Sequence, residues 1–142
     1  MADVGLVRKR LRTEIEQARR SAAERRERAQ QASRAYQTFL ESIATPTFRQ
    51  MATVLRAEGI LCEIQTPPGA VRLVADRNRD DVIELELDDS QDPPQVMLTS
   101  TRSRGSRITR TERAVKDRTA IDKITEDDLL ERLFDEVRPW LG

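Results

Sequence analysis

Carboxylates are concentrated between residues 80 and 92 of the chain. Oxygen ligands of this kind bind hard divalent cations, so the cluster first suggests a metal site. The spacing does not match an EF-hand loop, however, and alternate acids along a strand are spread over about 13 Å. We therefore predict a solvated strand face rather than a metal site. The acids are Asp80, Asp81, Glu84, Glu86, Asp88, Asp89 and Asp92.

Arginines flank the glycine of a predicted turn at residues 103–106. Guanidinium groups at the tip of a hairpin can hold a phosphate or a carboxylate, and glycine allows close backbone approach. The candidate anion site consists of Arg102, Arg104, Gly105, Arg107 and Arg110. The alternative is that these arginines balance the acidic strand and keep an exposed sheet edge from aggregating.

The composition excludes several kinds of catalytic site. The 142 residues include no histidine and one cysteine. Histidine-dependent nucleophiles, histidine-ligated metals and cysteine-cluster zinc sites are therefore impossible. Cys62 falls on the apolar side of a predicted strand, where we expect an inert buried thiol. No phosphate-binding loop or nucleophile motif occurs, so we expect a protein without enzymatic activity, cofactor or metal.

The positive and negative charges, 25 of each, are unevenly distributed. Residues 1–58 carry 12 basic and 7 acidic residues, whereas residues 59–142 carry 13 and 18. The basic helix and the arginine-rich 102–118 segment are consistent with electrostatic binding to nucleic acid. The predicted strands contain no aromatic residue that could stack on bases, which makes this alternative the weaker one.

The first 44 residues predict a long helix. Residues 6–44 contain no proline or glycine, and Ala, Arg, Glu and Gln dominate. An apolar stripe, which begins at Val4 and Val7, recurs at spacings of three and four, as in a coiled coil. The predicted self-association residues in this stripe are Leu11, Ile15, Ala18, Ala22, Ala29, Ala32, Tyr36, Phe39 and Ile43, with Arg25 interrupting them.

The length of this helix favours a partner. Its 41 or so residues extend over about 60 Å, whereas a domain of the remaining size is only about 33 Å across. Much of the helix therefore has no surface of its own chain to cover it. We predict a homo-oligomer, with a dimer favoured, although a single charged helix held only locally is the alternative.

Residues 45–142 predict a separate α+β domain. A short second helix follows Thr45-Pro46, and the pattern leaves open whether the chain breaks there. Alternating apolar residues then predict an antiparallel meander of five or six strands, with Arg72 opposite Glu84 or Glu86. The weakest strands are expected near 107–111 and 114–118. A C-terminal helix at 125–141 presents an apolar stripe that we expect to cover one sheet face.

These features favour a cytoplasmic interaction module over an enzyme. No window is apolar enough to span a membrane. We predict an adaptor-like or chaperone-like module that self-associates through the helix at 1–44 and offers the domain at 45–142 to a protein partner. The alternative is an accessory protein that binds nucleic acid through the basic helix and residues 102–118.

Overall fold

The computed structural model describes residues 3–142 and has the predicted α+β architecture. Three helices and five strands make up its regular elements. Their bounds are α1 Val4–Phe39, α2 Thr45–Ala57, β1 Cys62–Gln65, β2 Ala70–Ala75, β3 Val82–Asp88, β4 Gln95–Arg104, β5 Arg107–Ala114 and α3 Glu126–Val137. A π-helical turn at Leu40–Ala44 joins α1 to α2, and short 3-10 turns precede and follow α3.

The helix does not break at Pro46, the point that the sequence left open. The backbone N–H of Thr45 donates to the carbonyl of Leu40, one residue further back than in an α-helix. The π turn therefore takes up one extra residue just before the proline, which has no N–H to donate. The chain remains helical from Val4 to Ala57, over about 80 Å. The expected boundary between 44 and 45 thus lies inside one continuous helix.

The five strands form an antiparallel sheet in the order β1-β2-β3-β4-β5. Arg72 lies opposite Glu84, as predicted, and the two side chains form an ion pair. The expected strand at 114–118 does not form. Val115 continues the ladder with one bond to Val96, and the chain then turns at Arg118, which has a left-handed φ of 53°.

One sheet face is covered and the other carries charges, as the alternation predicted. The end of α1 with α2, together with α3, packs on the covered face to form a single core. Its fully buried side chains include Phe48, Val71, Leu73, Ile83, Leu85, Leu98, Leu129 and Leu133.

The last helix begins at a reciprocal cap. The Asp128 N–H donates to the Thr125 hydroxyl at 3.2 Å, and the Thr125 N–H donates to the Asp128 carboxylate at 2.9 Å. These bonds satisfy two N–H groups that have no partner within the helix. Regular α-helix stops at Val137, two residues before Pro139, and a 3-10 turn places Trp140 in the core.

Candidate functional site

The first part of α1 projects from the body of the protein with its apolar side chains in solvent. Val4, Val7, Leu11 and Ile15 are 73, 53, 57 and 40% exposed. The first α1 side chain that hydrogen-bonds to the body, within residues 3–142, is that of Arg28. We call residues 4–27 the projecting segment. It carries an apolar stripe that nothing else within residues 3–142 covers.

The spacing of the stripe suits a nearly straight helix. Val4, Val7 and Leu11 are followed eleven residues later by Ile15, Ala18 and Ala22. An eleven-residue repeat corresponds to about 3.67 residues per turn, close to the 3.6 of an undistorted α-helix. The stripe therefore stays on one side of the projecting segment, and a pair of such helices needs only slight supercoiling to keep it in contact. The alanines allow another helix to approach closely.

One flank of the stripe carries only positive charge. At about 100° per residue, Arg8, Arg12, Arg19 and Arg26 fall along the same side of the stripe, and all four are exposed. We call them the arginine row. The opposite flank carries Arg10, Glu14, Ser21 and Arg28, so its charge is mixed. This asymmetry gives the projecting segment two chemically different sides.

A bidentate ion pair fixes the base of the projecting segment to the β3–β4 loop. The Arg28 Nε and Nη2 atoms donate to the two carboxylate oxygens of Asp92 at 3.1 and 3.0 Å. The Arg28 guanidinium holds the pKa of Asp92 below its ordinary value, chiefly through these hydrogen bonds. Because the two residues are 64 positions apart, no local pattern could have linked them.

The C-terminal part of the predicted self-association stripe packs against the body of its own chain. Tyr36 and Phe39 are buried in the core, and Ala32 and Ile43 pack against it. The Tyr36 hydroxyl donates to the carbonyl of Gly69 at 2.6 Å. For these four residues the predicted contact with a second chain is replaced by contact with the body. Sequence spacing cannot distinguish the two, because a core and a coiled coil require the same apolar periodicity.

The arginine hairpin does not converge on one point. The ladder pairs Arg102 with Thr109 and Arg104 with Arg107, which places these arginines on one face of the hairpin. Arg110 lies opposite Thr101 on the other face, where its guanidinium is 3.0 Å from the Glu112 carboxylate. Gly105, with φ of 62°, forms the turn between the strands. Binding of an anion to the three arginines that share a face stays a prediction.

A groove of about 1290 Å³ lies where α1 leaves the body. Small and apolar residues form much of its wall, among them Ala32, Ala35, Pro93, Pro94, Met97 and Ile121. Its charged residues include Arg28, which is already paired with Asp92, and Arg118 at the left-handed turn. The groove offers a surface rather than a set of reactive groups.

Two of the acidic residues of 80–92 accept backbone hydrogen bonds that stabilise separate parts of the sheet. Asp81 is buried and accepts a bond from the Ser103 N–H at 3.0 Å. Asp88 accepts a bond from the Ser90 N–H in the turn that follows β3. Within residues 3–142, no group of three or more Cys, Asp or Glu side chains is arranged to hold a metal ion.

Cys62 lies buried beneath α2, where burial raises the pKa of its thiol. A thiol that stays protonated is a poor nucleophile. Its Sγ is 3.8 Å from the Ala52 carbonyl, a weak hydrogen bond within the core. The position agrees with a structural residue.

Comparison with protein-family models, with curated proteins and with solved structures found no match to this chain. Among the helices of residues 3–142, none is both long enough and apolar enough to cross a membrane. The candidate site therefore rests on the geometry of the chain itself, and the projecting segment is its most distinctive feature.

Proposed function

We propose that this protein is a non-enzymatic interaction module, located in the cytoplasm, that dimerises through the projecting segment. The observation that carries the proposal is the exposure of Val4, Val7, Leu11 and Ile15 on one side of an unaccompanied helix. Burying a side chain of this size contributes about 1.5–3 kcal/mol. A second copy carries the same stripe and is the simplest partner able to cover it.

The arginine row favours a parallel pair. In a parallel two-stranded coiled coil, each flank faces the opposite flank of the other helix. The arginine row then faces the flank of mixed charge, in which Glu14 comes close to Arg19 of the second copy and Arg28 is already paired with Asp92. In an antiparallel pair the two arginine rows face each other, and the like charges repel. The domains at residues 28–142 would thus lie at the same end of the dimer.

The energetics favour a reversible dimer. Ala18, Ala22 and Ala29 bury little area, and Arg25 interrupts the stripe. In proteins most helical stability comes from packing of an apolar face, so helix formation and pairing support each other. We expect the fraction of dimer to rise with protein concentration, as suits a module that brings partners together.

Cysteine cross-linking tests both the contact and its direction. Ala18 lies in the middle of the stripe, so two copies of Ala18→Cys meet across a parallel, in-register pair. Mild oxidation should give a covalent dimer. Ala23→Cys, about 140° away from Ala18 around the same helix, is the matched control and should stay monomeric on a denaturing gel. Cys62 is buried and does not interfere.

Charges placed in the stripe should abolish the cross-link. Leu11→Glu with Ile15→Glu, added to Ala18→Cys, should reduce the covalent dimer at least tenfold. Leu6→Glu with Thr13→Glu adds the same charge on the far side of the helix and should leave it unchanged. Equal cross-linking of Ala18→Cys and Ala23→Cys, or none for either, would contradict the proposal.

A second candidate function is binding to nucleic acid, which the exposure of the arginine row favours. Four guanidiniums along one side of a helix can neutralise phosphates, with an affinity that falls steeply as salt rises. Arg12→Glu with Arg19→Glu should abolish binding to generic duplex DNA at low salt. Lys9→Glu with Arg20→Glu, on the far side, should weaken it less. Absence of binding by the unaltered protein at low salt would eliminate this candidate.

A further inference from the structure

The outer edge of β5 is the longest unpaired strand edge in residues 3–142. β5 pairs with β4 alone, in an unbroken ladder of eight residue pairs. Every residue from Arg107 to Arg113 is exposed, and the strand contains no proline or glycine. A regular, uncovered edge of this length presents a row of free N–H and C=O groups that can pair with another strand.

The register with β4 determines which backbone groups face outward. Arg104 and Arg107 close a two-residue turn, and the Val115 N–H donates to the Val96 carbonyl at 3.0 Å. The odd-numbered residues of β5 therefore bond to β4. The free N–H and C=O groups belong to Ile108, Arg110, Glu112 and Ala114. A strand added antiparallel to β5 must bond to these even-numbered residues.

A second copy of β5 satisfies this condition in a register that is also complementary in charge. With Thr111 on the two-fold axis, Arg110 lies opposite Glu112 of the second copy, and Ile108 lies opposite its Ala114. Each such pair exchanges two backbone bonds, which gives about eight hydrogen bonds across the edge. Oppositely charged residues that face each other across strands stabilise the pairing.

The neighbouring registers are repulsive. A shift of the second strand by two residues in one direction places Arg110 opposite Arg110 of the second copy, and a shift in the other direction places Glu112 opposite Glu112. Charged residues on an edge normally discourage pairing. On β5 they instead select one alignment, because their order is self-complementary about Thr111.

We propose that the edge of β5 is a second homotypic interface, in which two copies pair antiparallel about Thr111 and join their five-stranded sheets into one. The occupant is a second copy of this chain, because the charge order of β5 complements itself. This interface is separate from the projecting segment and does not depend on the function proposed above.

The test uses the full chain carrying Leu11→Glu and Ile15→Glu, so that the projecting segment does not contribute. This background protein should have the mass of a dimer by light scattering. Adding Arg110→Glu, or adding Glu112→Arg, places like charges opposite each other and should give a monomer in each case. The Arg110–Glu112 contact within one chain is a half-exposed surface pair, so its loss should leave the fold intact, as circular dichroism would verify.

Mixing the two charge variants is the decisive measurement. The Arg110→Glu variant carries acids at both positions of the pair, and the Glu112→Arg variant carries arginines at both. The two variants should therefore associate with each other, while neither does so alone. Arg107→Glu, whose side chain lies opposite uncharged Val115 in the proposed register, is the matched control and should keep the dimer mass.

Two results would count against this interface. If the protein that carries Leu11→Glu and Ile15→Glu is monomeric, the proposal is overturned. This holds whether the edge of β5 stays free or binds a strand of another protein. Failure of the mixture to associate would overturn the register.

Discussion

Tyr36 marks the point at which α1 passes from solvent into the core. Its ring is buried, and its hydroxyl donates to the Gly69 carbonyl in the β1–β2 turn. Burial raises the pKa of this hydroxyl well above its ordinary value, so it remains a donor at all physiological pH. One residue thus connects the long helix to the sheet.

Glu86 lies on the open sheet face, in an environment that disfavours the ionised form of its carboxyl group. Burial raises the pKa of Glu86, and the nearby Glu84 raises it further. A carboxyl whose pKa is higher in the folded state destabilises the fold once it ionises, so stability falls as pH rises above the ordinary value of about 4.3.

Glu86→Gln should therefore raise the melting temperature slightly at neutral pH, because the amide is neutral and similar in shape. The gain should disappear at a pH below the ordinary carboxyl pKa, where Glu86 is already protonated. Thermal unfolding across the acidic to neutral range measures this, with Glu131→Gln on the exposed side of α3 as control. A gain that does not vary with pH would contradict the electrostatic explanation.

At the scale of elements, the π turn reconciles two helical faces. The apolar positions of α1 continue through Phe39 and Ile43, and those of α2 begin at Ala44 and Phe48. Between Ile43 and Ala44 the apolar face moves on by one residue, a slip that would rotate it by about 100° in a regular α-helix. One extra residue in the turn absorbs this slip, so that both helices face the same core. The slip is visible in the sequence, where apolar residues stand next to each other at positions 43 and 44.

The start of α3 gives a prediction at this scale. Thr125→Ala removes the hydroxyl that accepts the Asp128 N–H and should lower the free energy of unfolding by about 1 kcal/mol. Thr125→Ser keeps an oxygen at the same position and should retain most of the stability. Urea unfolding of both variants provides the comparison. Equal losses for alanine and serine would indicate that packing of the threonine methyl group, not the cap, is responsible.

At the scale of the whole molecule, the projecting segment and the body are energetically distinct. Residues 4–27 hardly touch the rest of the chain, whereas Tyr36 and Phe39 are core residues. The charged far side of α1 keeps the projecting segment in solvent. The apolar stripe and the β5 edge lie on different elements, so the two proposed interfaces can operate together and give assemblies larger than a dimer.

Deletion of residues 1–27 should leave the melting temperature of the body within about 2 °C of the full chain, measured at low protein concentration, because the segment buries little. Deletion of residues 1–39 also removes Tyr36 and Phe39 and should cost several kcal/mol, since loss of a single buried aromatic side chain costs about 3–5 kcal/mol. Circular dichroism melting curves test both. Destabilisation by the shorter deletion would show that the projecting segment contacts the body.

The sequence by itself determined the elements, because their signals are local. The period of 3.6 marked the helices, including the apolar stripe of α3, and the period of two marked β2 to β4 and their facing residues. These patterns act between residues a few positions apart, so a single chain displays them. Only the tertiary structure decided how much of the apolar stripe the body covers. It also decided that Arg28 forms an ion pair with Asp92. It also decided that the arginines of the hairpin are divided between two faces. Burial of apolar surface has no direction, and an apolar stripe therefore does not specify whether its own chain or another one covers it.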